Sequence, residues 1–180
     1  MNSMQKNIVV LGGGESGVGA AVLAKQKGFA VFVSDSGLLK QSYKDILQGY
    51  SIDFEEGTHS FDRILTAHEI IKSPGIPDSA AIIQQALMLE IPVISELEFA
   101  ARYTDATLIC ITGSNGKTTT SLLTYHILKQ AGLHVGLAGN VGASFAMQVA
   151  CENFDFYVLE ISSFQLDSMY DFKADIAILL

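Results

Sequence analysis

A glycine-rich loop that ends in a lysine stands where an apolar strand meets a helix. The apolar residues 108–111 lead into residues 112–119, which read TGSNGKTT. Small residues let the backbone curl so that successive N–H groups face an anion, and the helix that follows adds its positive N-terminal end. The lysine is placed to reach the outer phosphates of a nucleoside triphosphate, and the next hydroxyl to bind Mg²⁺. We therefore predict an ATP-binding loop formed by Gly113, Ser114, Asn115, Gly116, Lys117, Thr118 and Thr119.

The spacing of the glycines in this loop differs from the most common P-loop pattern. That pattern has its first glycine at the position of Ile111, whereas this chain has Gly113, three residues before Gly116. The alternative to a phosphate site is a glycine-rich strand-to-helix turn that merely exposes a lysine. The order of strand, loop, lysine, hydroxyls and helix favours a variant phosphate loop.

A second glycine-rich turn, GGGESG at residues 12–17, fits G-x-G-x-x-G between a strand and a helix. Asp35 lies 18 residues beyond Gly17, where a dinucleotide site keeps its ribose-binding carboxylate. This pattern alone indicates a nicotinamide-dependent oxidoreductase, but the acidic Glu15 would face a pyrophosphate and weighs against it. Two alternatives stay open: glycines that only permit tight packing, or a different nucleotide diphosphate at the same helix N-terminus.

Polar residues also follow strands in the second half of the chain. Glu160 ends an apolar strand, and open α/β sheets bind ligands at the carboxyl ends of their strands. With ATP on the loop, Glu160 is placed to hold a metal ion, or else it caps the next turn. Asn140, in the segment GNVG, either serves a turn or contacts substrate. Four histidines show no spacing for metal or triad chemistry, and we expect surface or packing roles for them: His59, His68, His126 and His134.

Short apolar runs alternate with helical patterns along the whole chain, which is typical of a parallel sheet covered by helices on both faces. The predicted strands are residues 8–11, 30–34, 52–55, 69–72, 92–94, 107–112, 134–138, 156–161 and 175–180. The predicted helices are residues 17–27, 43–48, 79–89, 96–103, 117–130 and 143–152, with 96–103 as a connector. We therefore predict an α/β fold with two domains. Residues 1–95 form a Rossmann-like parallel-sheet domain, and residues 96–180 form a truncated P-loop ATPase-type α/β domain.

Composition narrows the class of protein. Hydrophobic residues make up 49% of the chain and charged residues 17%, which is ample material for a core. The net charge of −8 argues against a nucleic-acid surface, and no apolar run is long enough to span a membrane. Two cysteines without metal-type spacing indicate a reducing cytoplasm. Because residues 175–180 read as a buried strand, we expect the chain to be part of a longer protein.

Four segments together resemble the Mur ligase family. Residues 112–119 resemble that family's ATP loop, including the three-residue glycine spacing. Residues 139–142 (GNVG) and 73–76 (SPGI) resemble two of its turns. Residues 160–166, which read EISSFQL, are similar to a segment of the branch that joins D-glutamate to UDP-N-acetylmuramoyl-L-alanine. The match covers essentially the whole chain.

The resemblance implies two substrate sites. Residues 1–95 would bind the UDP part of UDP-N-acetylmuramoyl-L-alanine, with the diphosphate at the first glycine turn and the uracil near Asp35. In the central domain, Lys117 would neutralise the β- and γ-phosphates of ATP, while Thr118 and Glu160 would coordinate Mg²⁺. The resemblance implies these substrate-binding residues: Gly14, Glu15, Ser16, Gly17, Asp35, Ser36, Ser73, Pro74, Gly75, Asn140 and Ser162.

The resemblance also implies a reaction. The L-alanine carboxylate would attack the γ-phosphorus of ATP to give an acyl phosphate, and the D-glutamate amine would then displace phosphate. The family uses a further histidine, a modified lysine and a C-terminal domain beyond these residues, so we expect this chain alone not to catalyse ligation. We expect a monomer without nucleic acid or membrane partners. The alternative functions are a nicotinamide-dependent oxidoreductase and a non-catalytic nucleotide-binding module.

Overall fold

The computed structural model describes residues 6–167 and 169–180, which fold around two all-parallel sheets. The first sheet contains β1 (Asn7–Leu11), β2 (Ala30–Asp35), β3 (Asp53–Glu56), β4 (Glu69–Lys72) and β5 (Val93–Ser95). Its strands lie in the order β3-β2-β1-β4-β5. The helices of this half are α1 (Glu15–Gln26), α2 (Gln41–Gly49), α3 (Phe61–Ile64), α4 (Ala81–Met88) and α5 (Glu96–Ala101). The direction of winding reverses between β1 and β4, and open sheets bind ligands at such a point.

Both faces of the first sheet are covered, which explains the uninterrupted apolar runs of its strands. Successive side chains of a strand point to opposite faces. Ile8 and Val10 therefore join the cluster that contains α1, whereas Val9 and Leu11 join the cluster that contains α4. The buried residues of α1 that precede Leu23 are all glycine, alanine or valine, so this helix packs closely on the sheet.

The second sheet has the strand order β7-β8-β6-β9. Its elements are β6 (Thr107–Thr112), α6 (Lys117–Gln130), β7 (Val135–Gly139), α7 (Phe145–Cys151), β8 (Phe156–Glu160), α8 (Ser163–Leu166) and β9 (Ile176–Leu179). The predicted α/β fold with parallel sheets is confirmed, and the predicted bounds of β4, β6 and α6 match those observed. The short helices α3 and α8 were not predicted.

The last strand differs from its prediction. β9 pairs with β6 as a parallel strand, but it lies at the edge of the sheet. Within these 180 residues its side chains are largely exposed, with Leu179 81% and Ile176 50% accessible, so the predicted burial is not observed in this chain. An apolar sequence fits a core strand and an edge strand equally well, because pairing partners are decided by the tertiary structure.

Helix α5 does more than connect the two halves. Residues 96–100 are all buried, and α5 packs against both α1 and α7. The Glu98 carboxylate accepts hydrogen bonds at 3.0 Å from the backbone N–H groups of Tyr170 and Phe172. One apolar cluster includes residues of both halves, for example Val18 of the first and Phe145 of the second. The two sheets therefore share a core, and α5, which connects them as predicted, is part of that core.

None of the helices in the described part of the chain is long and apolar enough to cross a membrane.

Candidate functional site

The loop between β6 and α6 has the backbone that its glycines predict. Gly113 has a φ of +135° and Gly116 a φ of +81°, values that favour glycine because other residues meet a steric penalty there. Helix α6 begins at Lys117. The Lys117 ammonium curls back over the loop and donates a hydrogen bond to the Gly113 carbonyl at 2.7 Å. The lysine therefore lies where an anion in the loop would be neutralised.

The loop is also fastened to the neighbouring strand. The backbone N–H of Ser114 donates to the Leu180 carbonyl at 3.2 Å, and the Leu180 N–H donates to Thr112 at 3.0 Å. A Cβ placed on Gly113 would overlap the backbone of Leu180. Gly113 is thus required both by its φ and by the close approach of this strand end.

A buried carboxylate ends the adjacent strand. Glu160 is 1% exposed and lies opposite Ile111 on β6 and Gly139 on β7 in the parallel register. Its Oε1 accepts a hydrogen bond from Asn140 Nδ2 at 2.8 Å, and its backbone carbonyl accepts from the Asn140 N–H at 2.8 Å. Asn140 therefore holds Glu160 in place, a role that differs from both a simple turn residue and a substrate contact.

The second oxygen of this carboxylate fits a metal ion. Glu160 Oε2 is buried and has no hydrogen-bond partner among the described residues. Leaving a carboxylate oxygen buried and unpaired is costly, so such an oxygen is expected to meet a cation when the site is filled. Within residues 6–167 and 169–180, no cluster of three or more acidic, histidine or cysteine side chains is arranged for a metal. Mg²⁺ is often held by one or two carboxylates together with phosphate oxygens and waters, so a single carboxylate oxygen is a suitable protein ligand for it.

The first glycine turn borders a cleft of about 360 Å³ at the switch point between β1 and β4. The Asp35 carboxylate organises it by accepting hydrogen bonds from the backbone N–H of Gly13 at 2.6 Å and of Gly37 at 2.8 Å. Gly17 is needed because a Cβ there would overlap the Gly12 carbonyl. The cleft is lined by Gly12, Gly14, Ser16, Asp35, Ser36, His59, Ser73, Pro74, Gly75 and Ile76. The structure thus brings together most of the predicted substrate residues of the first half.

Glu15 faces the other half of the protein. Its Oε1 accepts a hydrogen bond from the backbone N–H of Ser144, just before α7, at 3.2 Å. Beside it, Glu96 Oε1 accepts from Ser144 Oγ and from the Ala146 N–H, both at 2.7 Å. Burial raises the pKa of Glu96 and the nearby charge of Glu15 adds to this, while the hydrogen bonds from Ala146 and Ser144 oppose it. Two carboxylates of the first half thus secure the start of α7.

A second cavity of about 230 Å³ lies between the two halves. Its lining includes Glu15, Glu96, Asn140 and Gln165. It shares Ser16 and Pro74 with the cleft at the first glycine turn. The two cavities therefore adjoin, and together they lead from Asp35 to the asparagine that holds Glu160.

Ser162 is placed differently from the other predicted substrate residues. Its N–H and its hydroxyl both donate to Gln165 Oε1, at 2.9 and 3.0 Å. This closes the first turn of α8, so the hydroxyl of Ser162 is engaged locally and the buried Gln165 lines the second cavity instead. A serine followed three residues later by glutamine is a known helix-start pattern, and it could have identified Gln165.

Two further residues of the cleft region were missed. His59, predicted to be a surface or packing residue, lines the nucleotide-sized cleft, and its Nδ1 lies 2.7 Å from Ser34 Oγ. Lys72 is 6% exposed and holds the turn after β4 through Asp78 at 2.7 Å and the Ile76 carbonyl at 2.9 Å. Lys72 ends a predicted strand, so its position at a sheet edge was a usable signal, whereas the loop of His59 carried none.

Comparisons with known proteins agree with the two halves of the structure. Residues 6–95 match the family described as Mur ligase MurD-like, N-terminal domain, and residues 111–180 match the Mur ligase middle domain. The chain is 62% identical over 175 residues to UDP-N-acetylmuramoylalanine--D-glutamate ligase of Bacteroides fragilis, covering 97% of this chain and 39% of that protein. It is 62% identical over 180 residues to the ligase of the same name from Porphyromonas gingivalis, covering 100% of this chain and 40% of that protein.

A solved structure shares the fold. The UDP-N-acetylmuramate:L-alanyl-gamma-D-glutamyl-meso-diaminopimelate ligase from Neisseria meningitides superposes with a TM-score of 0.57 at 24% identity, covering 87% of this chain and 52% of that one. The chain spans about two fifths of the length of the curated relatives named above.

Proposed function

This chain belongs to the Mur ligase family, and on that premise we propose that it forms the part of an ATP-dependent ligase that binds UDP-N-acetylmuramoyl-L-alanine and ATP. The whole ligase joins the L-alanine carboxyl group to D-glutamate, a step in peptidoglycan precursor synthesis. The observation that carries this proposal is that the two cavities adjoin, since both are lined by Ser16 and Pro74. One lies at the first glycine turn, and the other is lined by Asn140, the residue that holds Glu160.

The nucleotide end of the substrate belongs to residues 1–95 in this proposal. The diphosphate lies at the N-terminus of α1, where free backbone N–H groups and the helix dipole favour an anion. Asp35 and Ser36 border the uracil, and the turn after β4 closes the opposite wall. Because the Glu15 carboxylate is engaged by Ser144, its charge is directed towards α7 rather than towards the diphosphate. That removes the objection that an acidic residue in this turn raised. Glu15 borders the second cavity instead, and the residues proposed for the nucleotide itself are Gly14, Ser16, Gly17, Asp35, Ser36, Ser73, Pro74 and Gly75.

The acyl end of the substrate reaches residues 96–180, where ATP binds. The backbone amides of the loop and the Lys117 ammonium hold the phosphates. Phosphate oxygens then replace two carbonyl acceptors, that of Gly113 for the lysine and that of Leu180 for the Ser114 N–H. Thr118 and Glu160 are the residues that would hold Mg²⁺, through a hydroxyl and the unpartnered Oε2. When bound, the metal supplies charge neutralisation of the triphosphate. Asn140 keeps Glu160 aimed at this point, and Ser162 shapes the neighbouring turn.

The reaction is one of positioning and charge neutralisation. A carboxylate oxygen of the L-alanine end attacks the γ-phosphorus and the bond to the β-phosphate oxygen breaks, so ADP leaves and an acyl phosphate forms. The D-glutamate amine then attacks the acyl carbon, loses a proton, and phosphate leaves. Preorganised amides and Lys117 lower the barrier because they stabilise charge that moves onto the phosphate oxygens.

Several features go with this assignment. We expect this chain alone to bind nucleotides without completing ligation, and we expect the protein to act as a monomer in the cytoplasm. The comparisons do not favour the nicotinamide-dependent oxidoreductase that the first glycine turn suggested in isolation.

The experiment that tests the proposal measures phosphate release by a protein that extends this chain to the length of its relatives. UDP-N-acetylmuramoyl-L-alanine is supplied with ATP and Mg²⁺, and D-glutamate, L-lysine or diaminopimelate is offered in turn. Release that requires D-glutamate supports the proposal. Turnover with either of the other two amines, but not with D-glutamate, contradicts it. For the 180-residue chain, calorimetric titration with the UDP substrate is expected to show binding and titration with NADH none.

A further inference from the structure

A histidine stands at the outer end of the nucleotide cleft. His59 follows β3 and borders the cleft together with Asp35 and Ser36. The strands β3, β2 and β1 are neighbours in that order, so the loop of His59 lies two strands away from the glycine turn after β1. A ligand with its diphosphate at that turn therefore brings its other end, the base, towards Asp35 and His59.

The hydrogen bonds around His59 decide which of its ring nitrogens carries the proton. Ser34 is fully buried and has one hydroxyl hydrogen, which it donates to Glu55 Oε1 at 2.6 Å. Burial acts to raise the pKa of the Glu55 carboxyl, but hydrogen bonds from Ser34 and Ser60 outweigh it and the pKa is lowered. Glu55 is thus a carboxylate, which only accepts hydrogen bonds.

It follows that the 2.7 Å contact between Ser34 Oγ and His59 Nδ1 is a hydrogen bond donated by the ring. A neutral imidazole with its hydrogen on Nδ1 has a bare lone pair on Nε2. Among residues 6–167 and 169–180, no hydrogen-bond partner of Nε2 is present. Because the bond to Ser34 fixes the ring and His59 borders the cleft, we infer that Nε2 is the acceptor that this residue offers to a ligand.

We propose that His59 Nε2 accepts a hydrogen bond from N3–H of the uracil ring and so selects uridine over cytidine nucleotides. This inference rests on the proposed function. Uracil carries a hydrogen on N3, whereas cytosine has a lone pair there, so an acceptor attracts the first and repels the second. Both Asp35 oxygens already accept backbone N–H groups, and Gly37 has no side chain. His59 Nε2 is an acceptor at this end of the cleft that no hydrogen bond within the described residues occupies.

Two substitutions separate this role from a purely structural one. The amide of His59→Asn can reach the position of Nδ1 and keep the bond to Ser34, but it lacks the group at Nε2. The longer His59→Gln can place its oxygen near the position of Nε2, at the expense of the bond to Ser34. If His59 only supports the loop, His59→Asn should alter UDP binding less than His59→Gln does. If His59 contacts the base, His59→Gln should alter UDP binding less.

The experiment is calorimetric titration of the 180-residue chain with UDP and with CDP at about pH 8.5, where imidazoles are neutral. UDP gains one hydrogen bond to His59, whereas CDP brings a lone pair against it, so we expect wild type to bind UDP about tenfold more tightly than CDP. We expect His59→Asn to lower this ratio to about one and His59→Gln to keep part of it. In wild type, 3-methyl-UDP, which has no N3–H, should bind about as weakly as CDP.

The outcomes are distinct. An unchanged UDP-to-CDP ratio in His59→Asn, or full binding of 3-methyl-UDP by wild type, overturns the role of His59 and leaves the proposed function standing. Absence of binding by wild type to both UDP and UDP-N-acetylmuramoyl-L-alanine overturns both. The 3-methyl-UDP measurement needs no variant, so it decides the matter even if His59→Asn does not fold.

Discussion

Replacing Asn140 by aspartate tests the contact that positions the metal ligand. Asn140 Nδ2 lies 2.8 Å from Glu160 Oε1, and Glu160 is almost fully buried. In Asn140→Asp, a second carboxylate takes the place of the hydrogen-bond donor. Two unit charges at this separation repel by about 6 kcal/mol at an effective dielectric constant near 20. That is comparable with the whole stability of a small domain, so the pair is expected to take up a proton rather than remain doubly charged.

The proton makes the effect dependent on pH. The folded variant then binds one more proton than the unfolded chain above the ordinary pKa of aspartate. Its stability therefore falls by about 1.4 kcal/mol per pH unit as the pH rises, relative to wild type. Asn140→Ala, the control, loses the hydrogen bond without adding a charge and is expected to cost about 1–3 kcal/mol at every pH.

The assay is urea unfolding followed by far-UV circular dichroism between pH 6 and pH 8, because the chain has no tryptophan for fluorescence. Added Mg²⁺ should recover stability in Asn140→Asp more than in Asn140→Ala, since a divalent cation relieves the repulsion between two carboxylates. Equal losses in the two variants, with no dependence on pH or Mg²⁺, would refute both the contact and the assignment of Glu160 as a metal ligand.

Four other substitutions test neighbouring contacts. Gly113→Ala should lower the free energy of unfolding by about 2–5 kcal/mol, since it adds an overlap with Leu180 to the backbone strain. Gly116→Ala, which adds only the strain, should lower it by about 1–2 kcal/mol. Equal losses in urea unfolding would contradict the close approach of Leu180 to the loop. Because burial raises the pKa of Glu96, its folded form holds a proton above the ordinary value, so wild-type stability should decline as the pH rises from about 4.5. Glu96→Gln should flatten that part of the pH profile measured by thermal unfolding, and an unchanged profile would exclude Glu96 as its source. Lys117→Met should leave the free energy of unfolding within about 0.5 kcal/mol of wild type. It should weaken ATP binding, measured by calorimetry, by about tenfold or more. Equal ATP affinity in the variant and wild type would show that the lysine does not contact the phosphates.

Much of the fold could be predicted from the sequence because the patterns that define its strands and helices are local. A continuous apolar run followed by a glycine turn and a helical pattern defines a strand and its helix without reference to the rest of the chain. β4, β6 and α6 therefore begin and end where predicted, and the phosphate loop lies between β6 and α6. The identities of Gly113 and Gly116 encode positive φ values directly, since other residues seldom adopt them.

The relations between distant segments were decided only by the tertiary structure. Nothing near Glu15 or Glu96 in the sequence indicates that both carboxylates secure the start of α7, more than forty residues beyond Glu96. The pairing of β9 with β6 is likewise a tertiary decision, because an apolar run does not name the strand it pairs with.

The chemistry at the end of β8 shows the same division. Residue types and spacing determined that a carboxylate, an amide and a lysine follow three strand ends of one parallel sheet. Only the packed sheet decided that the amide binds one oxygen of Glu160 and leaves the other buried without a partner. Spacing along the chain specifies the torsions of a turn, whereas hydrogen-bond partners from different strands are chosen by strand order and register.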